Sequence, residues 1–358
     1  MESLYTIAKQ HFETETILKQ LLSAHKALAE LKGVSKILPN EEILINTLSL
    51  QEAKDSSEVE NIITTHDELY QSNKEKKTFA SISAKEVYNY VDALMTTFHT
   101  MKENQLILNK DILQAQSLIE HNDAWFRKIA WTELKNEKSG ETVYTPPQNP
   151  IEILDLMSDF EKYLNDTDTW HDPLINIALL HYQVESIHPF YDGNGRVGRI
   201  INILYLVKEW LLDSPILYLS RYINQHKSDY YRYLQAIRDH QERENWILFI
   251  LTAVEKTSKQ TIDIINGIKN MMISQKHRIR EALPKIYSQT LLNNIFKHPY
   301  TKIEFIVDDL WCSRPSAMKY LEQLIEIWIL SKEKMGKENF YINTELFRFL
   351  TNIPPLKE

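Results

Sequence analysis

Cysteine is almost absent from this chain of 358 residues. The single Cys312 excludes an internal disulfide and suits a reducing compartment. Long apolar runs are missing too: Trp246-Ile247-Leu248-Phe249-Ile250-Leu251 falls far short of the roughly 20 residues that cross a bilayer. The start, Met1-Glu2-Ser3-Leu4-Tyr5, lacks a basic stretch followed by an apolar one, as a secretory leader would need. A cytoplasmic protein with no membrane partner is expected. Positive charge is in deficit, and a net charge of -8 argues against general nucleic-acid binding by the whole chain. There is no internal repeat and no low-complexity segment. Glycine is scarce, with 7 residues, and long stretches follow a helical period, so the fold is expected to be mainly α. The 43% hydrophobic content supports a sizeable core, and the length suffices for two or three domains.

Three of those glycines nevertheless crowd into His188-Pro189-Phe190-Tyr191-Asp192-Gly193-Asn194-Gly195-Arg196-Val197-Gly198-Arg199. Upstream, Asp172 as N-cap and Pro173 in the first turn open a helix with Ile177, Leu180, Val184 and Ile187 at helical spacing. Pro189 predicts that this helix stops near His188, leaving the imidazole at a turn. Gly193-Asn194-Gly195 can turn their N–H groups toward an anion at the start of the next helix. Arg196 and Arg199, three apart, share a face and can hold further phosphate oxygens. Asp192 beside a phosphate calls for a bridging Mg²⁺.

Other readings compete for this run. Gly193-x-Gly195-x-x-Gly198 matches the dinucleotide fingerprint, but a helix rather than a strand precedes it. His181, Glu185 and His188 could line one helix face as metal ligands, although the zincin spacing is absent. A glycine-rich turn with surface arginines and a satisfied histidine is the plain structural alternative.

The run His188-Pro189-Phe190-x-Asp192-Gly193-Asn194-Gly195-Arg196-x-x-Arg199 resembles the signature of the Fic family at every defined position. The resemblance implies a Fic-type helical fold and transfer of AMP from ATP to a Ser, Thr or Tyr hydroxyl of a protein. His188 would be the general base and Asp192 the Mg²⁺ ligand. Gly193, Asn194 and Gly195 would form the anion hole, with Arg196, Val197, Gly198 and Arg199 completing the nucleotide site. Gly195, where the phosphorylating Doc-like branch usually has lysine, favours nucleotidyl transfer.

Upstream, Ser56-Ser57-Glu58-Val59-Glu60-Asn61 resembles the family's inhibitory pattern (S/T)-x-x-x-E-(G/N), read as Ser56, Glu60 and Asn61. That implies a Glu60 carboxylate paired with Arg199, occupying the guanidinium that the γ-phosphate needs. The same residues also read as a capping box, with Ser57 opening a helix three residues before Glu60.

Trp125 to Trp131 and Glu141 to Thr145 predict the two strands of a β-hairpin flap around Gly140. The stretches around Asn224 and Tyr231 resemble the family's nucleoside-pocket region, which implies both as nucleotide contacts; some members have asparagine where this chain has Arg238. Farther on, Lys302 to Trp311 and a segment opened by Ser313 and Pro315 predict two helices, and Leu330 to Asn343 a hairpin centred on Gly336. This order resembles a winged helix. DNA contact through it stays open, with Arg314, Lys319, Lys332, Lys334 and Lys337 as the basic side chains.

The expected organisation is an N-terminal helical region over 1–99, a catalytic core over 100–265 and a winged-helix-like domain over 275–353. The expected partners are ATP and a protein target, with the chain itself among the candidates, in a homo-oligomer. Two alternatives accompany this reading: a bifunctional enzyme that also removes AMP, and a nucleotide-sensing DNA-binding regulator.

Overall fold

The computed structural model describes residues 1–72, 78–135, 139–335 and 338–356. The N-terminal part runs α1 (Leu4–Ile7), α2 (Glu15–Ser35), α3 (Glu41–Val59), α4 (His66–Gln71), α5 (Ile82–Asn104) and α6 (Asn109–Glu120). A short hairpin follows, β1 (Leu134–Lys135) and β2 (Thr142–Tyr144), then α7 (Pro150–Asn165), α8 (Pro173–Ile187) and α9 (Asn194–Lys208). Next come α10 (Leu219–Gln225), α11 (Lys227–His240) and α12 (Glu244–Ala282). The chain closes with α13 (Gln289–Lys297), β3 (Tyr300–Thr301), α14 (Ile303–Leu310), α15 (Arg314–Glu326), β4 (Leu330–Met335), β5 (Glu338–Asn343) and α16 (Thr344–Thr351).

At the centre lie α8 and α9. The Asp172 side chain caps the Leu174 N–H at 2.8 Å with Pro173 in the first turn, as the spacing predicts. Every α8 residue after Pro173 is buried, so this helix is enclosed all round rather than striped. α9 approaches it closely at Gly198, where a Cβ would stand 2.9 Å from Glu185 Oε1 and 3.2 Å from Val184 Cγ1. Around this pair pack α3, α5 and α6 against α9, and α12 against α8 and α2.

The hairpin departs from expectation in its first strand. Leu134 pairs with Tyr144 and Lys135 with Thr142, so the strand lies at 134–135 and not over 125–131. Residues 125–131 are irregular because their bonds go elsewhere: Phe126 packs on Phe190 at 5.5 Å, and Arg127 turns inward to the end of α8. Both expected domain boundaries fall inside helices, the first within α5 and the second within α12, which runs unbroken from Glu244 to Ala282. Elements from both sides pack along these helices, so the chain has no linker there.

The C-terminal strands form one antiparallel sheet in the order β3-β5-β4. The expected hairpin and both helices are present, while α13 and β3 are additions the sequence pattern did not announce. Gly336 and Lys337 lie outside the described residues. This part packs back on the N-terminal region: Tyr300 OH donates to Asp67 Oδ1 at 2.7 Å, Lys297 pairs with Glu42 at 2.8 Å, and Tyr300 stacks on Tyr70 at 5.6 Å. Among the described residues, no helix is long and apolar enough to cross a membrane.

Candidate active site

The turn from α8 to α9 is held from within. His188 is the C-cap of α8 at φ 49°, and Gly193 precedes α9 at φ 81°, a conformation that glycine adopts without penalty. Asn194 ties the loop: its Oδ1 accepts from Phe190 N at 2.8 Å and its Nδ2 donates to Phe190 O at 2.9 Å. Its amide is therefore spent on shaping the turn. Asp192 stays exposed, with Oδ1 accepting from the Gly193 N–H at 2.7 Å.

Arg199 reaches from α9 to the end of α3. Its Nε donates to Ser56 Oγ at 2.8 Å, and its Nη2 donates to Ser56 O at 2.9 Å and to Glu60 Oε1 at 2.7 Å. The arginine side chain is 1% exposed and that of Glu60 35%. Burial would raise the Glu60 carboxyl, but the charge and hydrogen bond of Arg199 prevail and hold it below its ordinary range. A Cβ on Gly195 would overlap Glu60 Oε1 and come within 2.9 Å of Arg199 Nη1, so glycine leaves room for this pair where any other residue would make the two side-chain ends shift.

Ser57 and Glu60 do not open a helix. They end one: Ile62 N bonds to Ser57 O and Asn61 N to Glu58 O, both at 3.0 Å, with Asn61 at φ 62°. This is a Schellman ending, and it explains why glycine or asparagine suits position 61. The Asn61 side chain accepts from Lys227 Nζ at 2.9 Å.

A cleft of about 650 Å³ opens beside these groups, lined by His188, Gly195, Arg199, Glu60, Lys227 and Tyr231 among others. Burial, then the charges of Arg127 and Arg238, hold the His188 imidazole down at about 4. Glu185 also lines the cleft, buried, with Oε1 lacking a hydrogen-bond partner among the described residues; burial lifts its carboxyl to about 7.

Several expected site residues lie elsewhere. Arg196 is buried and paired with Glu120 at 2.6 Å and Glu86 at 3.3 Å, outside the cleft lining. Val197 is a core side chain, and its N–H serves the helix through Gly193 O at 2.9 Å. Gly198 serves the α8–α9 contact. Asn224 sits on α10 and does not line the cleft, whereas Tyr231 on α11 does. The metal reading of His181, Glu185 and His188 fails, because His181 is a satisfied core residue bonded to Tyr230 OH at 2.8 Å and Asn202 Nδ2 at 3.0 Å. Sequence reasoning missed Lys227, Glu86 and Glu120. Nothing local marks the two glutamates, since only packing brings α5 and α6 to the loop.

The chain is similar to known proteins in both sequence and fold. The family description "Fic/DOC family N-terminal" matches residues 18–99, and "Protein adenylyltransferase SoFic-like, C-terminal domain" matches residues 271–346. The protein adenylyltransferase Fic of Aedes aegypti is 30% identical over 159 residues, 44% of this chain and 30% of that protein. That of Drosophila melanogaster is 34% identical over 113 residues, 31% of this chain and 21% of that protein. The chain thus spans less than a third of the length of these curated relatives. Among solved structures, a Fic family protein from Desulfovibrio desulfuricans G20 superposes with a TM-score of 0.57 at 19% identity, covering 93% of this chain and 97% of that one. A C. elegans Fic-1 fragment gives 0.54 at 19% identity, covering 68% and 71%. A shared fold over nearly the whole length, two matched family regions and the intact motif around His188 together make this chain similar to proteins of the Fic family.

Proposed function

We propose that the chain transfers AMP from ATP to a hydroxyl side chain of a protein, and that Glu60 restrains it. The observation that carries the reading is the placement of His188 in one cleft with Arg199, while Glu60 occupies that arginine. The relatives named as protein adenylyltransferases support the reaction class.

In this mechanism a neutral His188 accepts the proton of the target hydroxyl as its oxygen attacks the α-phosphorus. The bond from that phosphorus to the bridging oxygen breaks, and pyrophosphate leaves. Backbone N–H groups at the start of α9 and the Arg199 guanidinium stabilise the growing negative charge. The residues fit a Mg²⁺ ion at Asp192, an exposed hard-oxygen donor at the anion turn. No described group of three or more His, Cys, Asp or Glu could cage a metal alone, so phosphate oxygens would share it. When bound, Mg²⁺ supplies charge neutralisation on the phosphates. Arg196 joins the phosphate site only by leaving Glu120 and Glu86.

The inhibitory segment is assigned to residues 1–99, the chemistry to 100–265, and a winged-helix-like unit to 275–353. The helix-strand-helix-helix-strand-strand order of α13 to β5 supports that last assignment. Its basic side chains are partly spent, Arg314 on Glu304 at 2.7 Å and Lys332 on Glu322 at 2.6 Å, so protein contact, including a homo-oligomer, is favoured over DNA. A cytoplasmic setting fits the single Cys312.

The deciding experiment incubates the purified chain, beside His188→Ala, with labelled ATP, UTP, GTP or CTP and a cell extract. Label should enter protein from ATP and fall by about two to four orders of magnitude in the variant. Wild-type transfer by His188→Ala would overturn the assignment.

A further inference from the structure

A helix leaves its last carbonyls without partners of its own. At the end of α8, which presents His188, donors from other elements take each of them. Glu185 O accepts from Arg238 Nη2 at 3.2 Å and Ser186 O from Tyr144 OH at 3.1 Å. Ile187 O accepts from Arg127 Nη2 at 3.3 Å and His188 O from Arg127 Nε at 2.8 Å. The Arg127 backbone N–H then holds Pro189 O at 2.8 Å, and its Nη2 also reaches Pro147 O. Arg238 lies 4.1 Å over the Tyr144 ring, which couples the two.

The two guanidiniums bond to carbonyls, the Ser186 hydroxyl and a ring face, and among the described residues neither is paired with a carboxylate. Arg127 is 1% exposed, and its Nη1 has no hydrogen-bond partner among the described residues. Burying a cation without a counter-ion is costly. What compensates it here is the negative end of α8.

We propose that Arg127, Tyr144 and Arg238 form a clamp of positioning residues that fixes where α8 ends, aims the His188 imidazole into the cleft and keeps that ring free to accept a proton. The inference rests on His188 as the base and adds how the chain keeps it competent. A histidine at a helix C-terminus would normally be drawn toward its charged form by the dipole. The two arginines oppose that. His188 is faced by Arg127 from the loop after α6, Arg238 from α11, Glu60 from the end of α3, Arg199 from α9 and Glu185 from its own helix. Tyr144 of β2 holds the Ser186 carbonyl two residues before it, while Glu133 and Lys135 of the hairpin region and Lys227, Tyr230 and Tyr231 of α11 line the same cleft. Of these, Glu60 favours protonation, and the arginines outweigh it.

The test titrates the His188 imidazole by NMR, assigned by its loss in His188→Ala, in the wild type, Arg127→Gln and Arg238→Gln. Each substitution should raise its midpoint by about one pH unit. In the Glu60→Gly background, the acid limb of the pH–rate profile should move up by the same amount. Arg127→Lys keeps the charge but not the fork, so it should leave the midpoint low while transfer falls about tenfold or more. Unchanged His188 titration in folded Arg127→Gln and Arg238→Gln would overturn the clamp, and Arg238→Gln decides alone if the other does not fold. Wild-type transfer by His188→Ala would sink the base assignment instead, and the titration would still judge the clamp.

Discussion

Replacing Glu60 by glycine should make the protein more active and less stable at once. Arg199 donates three hydrogen bonds around the end of α3, and only the one to Glu60 Oε1, at 2.7 Å, goes to a charged acceptor. In the proposed function, that is the bond for which a γ-phosphate would compete. A hydrogen bond to a charged group nets about 1.5–3 kcal/mol, and the 35% exposure of the Glu60 side chain places this one near the low end. Freeing about 1.5 kcal/mol raises the population able to bind ATP productively by roughly tenfold. The assay is initial-rate transfer of labelled AMP by Glu60→Gly and wild type, with melting temperature measured alongside. Stability should fall, because Arg199 keeps its two bonds to Ser56 but loses its counter-ion; the cost is about 1–2 kcal/mol, below the 3–5 of a fully buried broken pair. Arg199→Ala breaks the same pair and should gain no activity. Mild acid should not mimic the substitution either. The Glu60 carboxyl is held below its ordinary range, so the pair persists above the unfolded value and is lost only as pH falls through the lower folded one. A Glu60→Gly protein that is less stable yet no more active would refute the argument, since the contact would then be structural alone.

Three further outcomes are expected. Transfer should require Mg²⁺ or Mn²⁺ and be lost in Asp192→Ala, which a labelling assay with and without chelator reads directly; metal-independent transfer would contradict the role of Asp192. Gly267→Ala should lower stability by about 1–3 kcal/mol in a denaturant titration, because the added Cβ would overlap the Phe349 ring where α16 crosses α12. Glu52 is wholly buried, and burial lifts its carboxyl to about 7 against hydrogen bonds from Ser220. Its folded value lies above the unfolded one, so its contribution is complete below about pH 4.5 and is lost as pH rises through about 7. Glu52→Gln should therefore compare more favourably with wild type in melting temperature at pH 8 than at pH 5, and a pH-independent difference would refute the assignment.

The sequence alone determined the features that depend on neighbours along the chain. Asp172 and Pro173 announce the start of α8, Pro189 its end, and Gly193 the turn that only a residue free to take positive φ makes cheaply. The same holds for the mainly helical class, which follows from the period of the apolar residues, and for the run from His188 to Arg199 that carries the family resemblance. Tertiary structure decided everything that requires distant segments to meet. Whether Glu60 begins a helix or ends one could not be read from Ser57 and Glu60, since the same pair of residues suits a cap and a closing turn; the packing of α3 on α5 and α10 settles it. The pattern from Trp125 to Trp131 suited a strand, but a strand also needs a partner edge, and Arg127 found the carbonyls of α8 instead. Arg196 and Arg199 look equivalent three residues apart, yet one meets Glu120 and Glu86 while the other meets Ser56 and Glu60. Periodicity tells which face of α9 they share. Which carboxylates wait there depends on α3, α5 and α6 being folded over it, and no spacing within the chain encodes that.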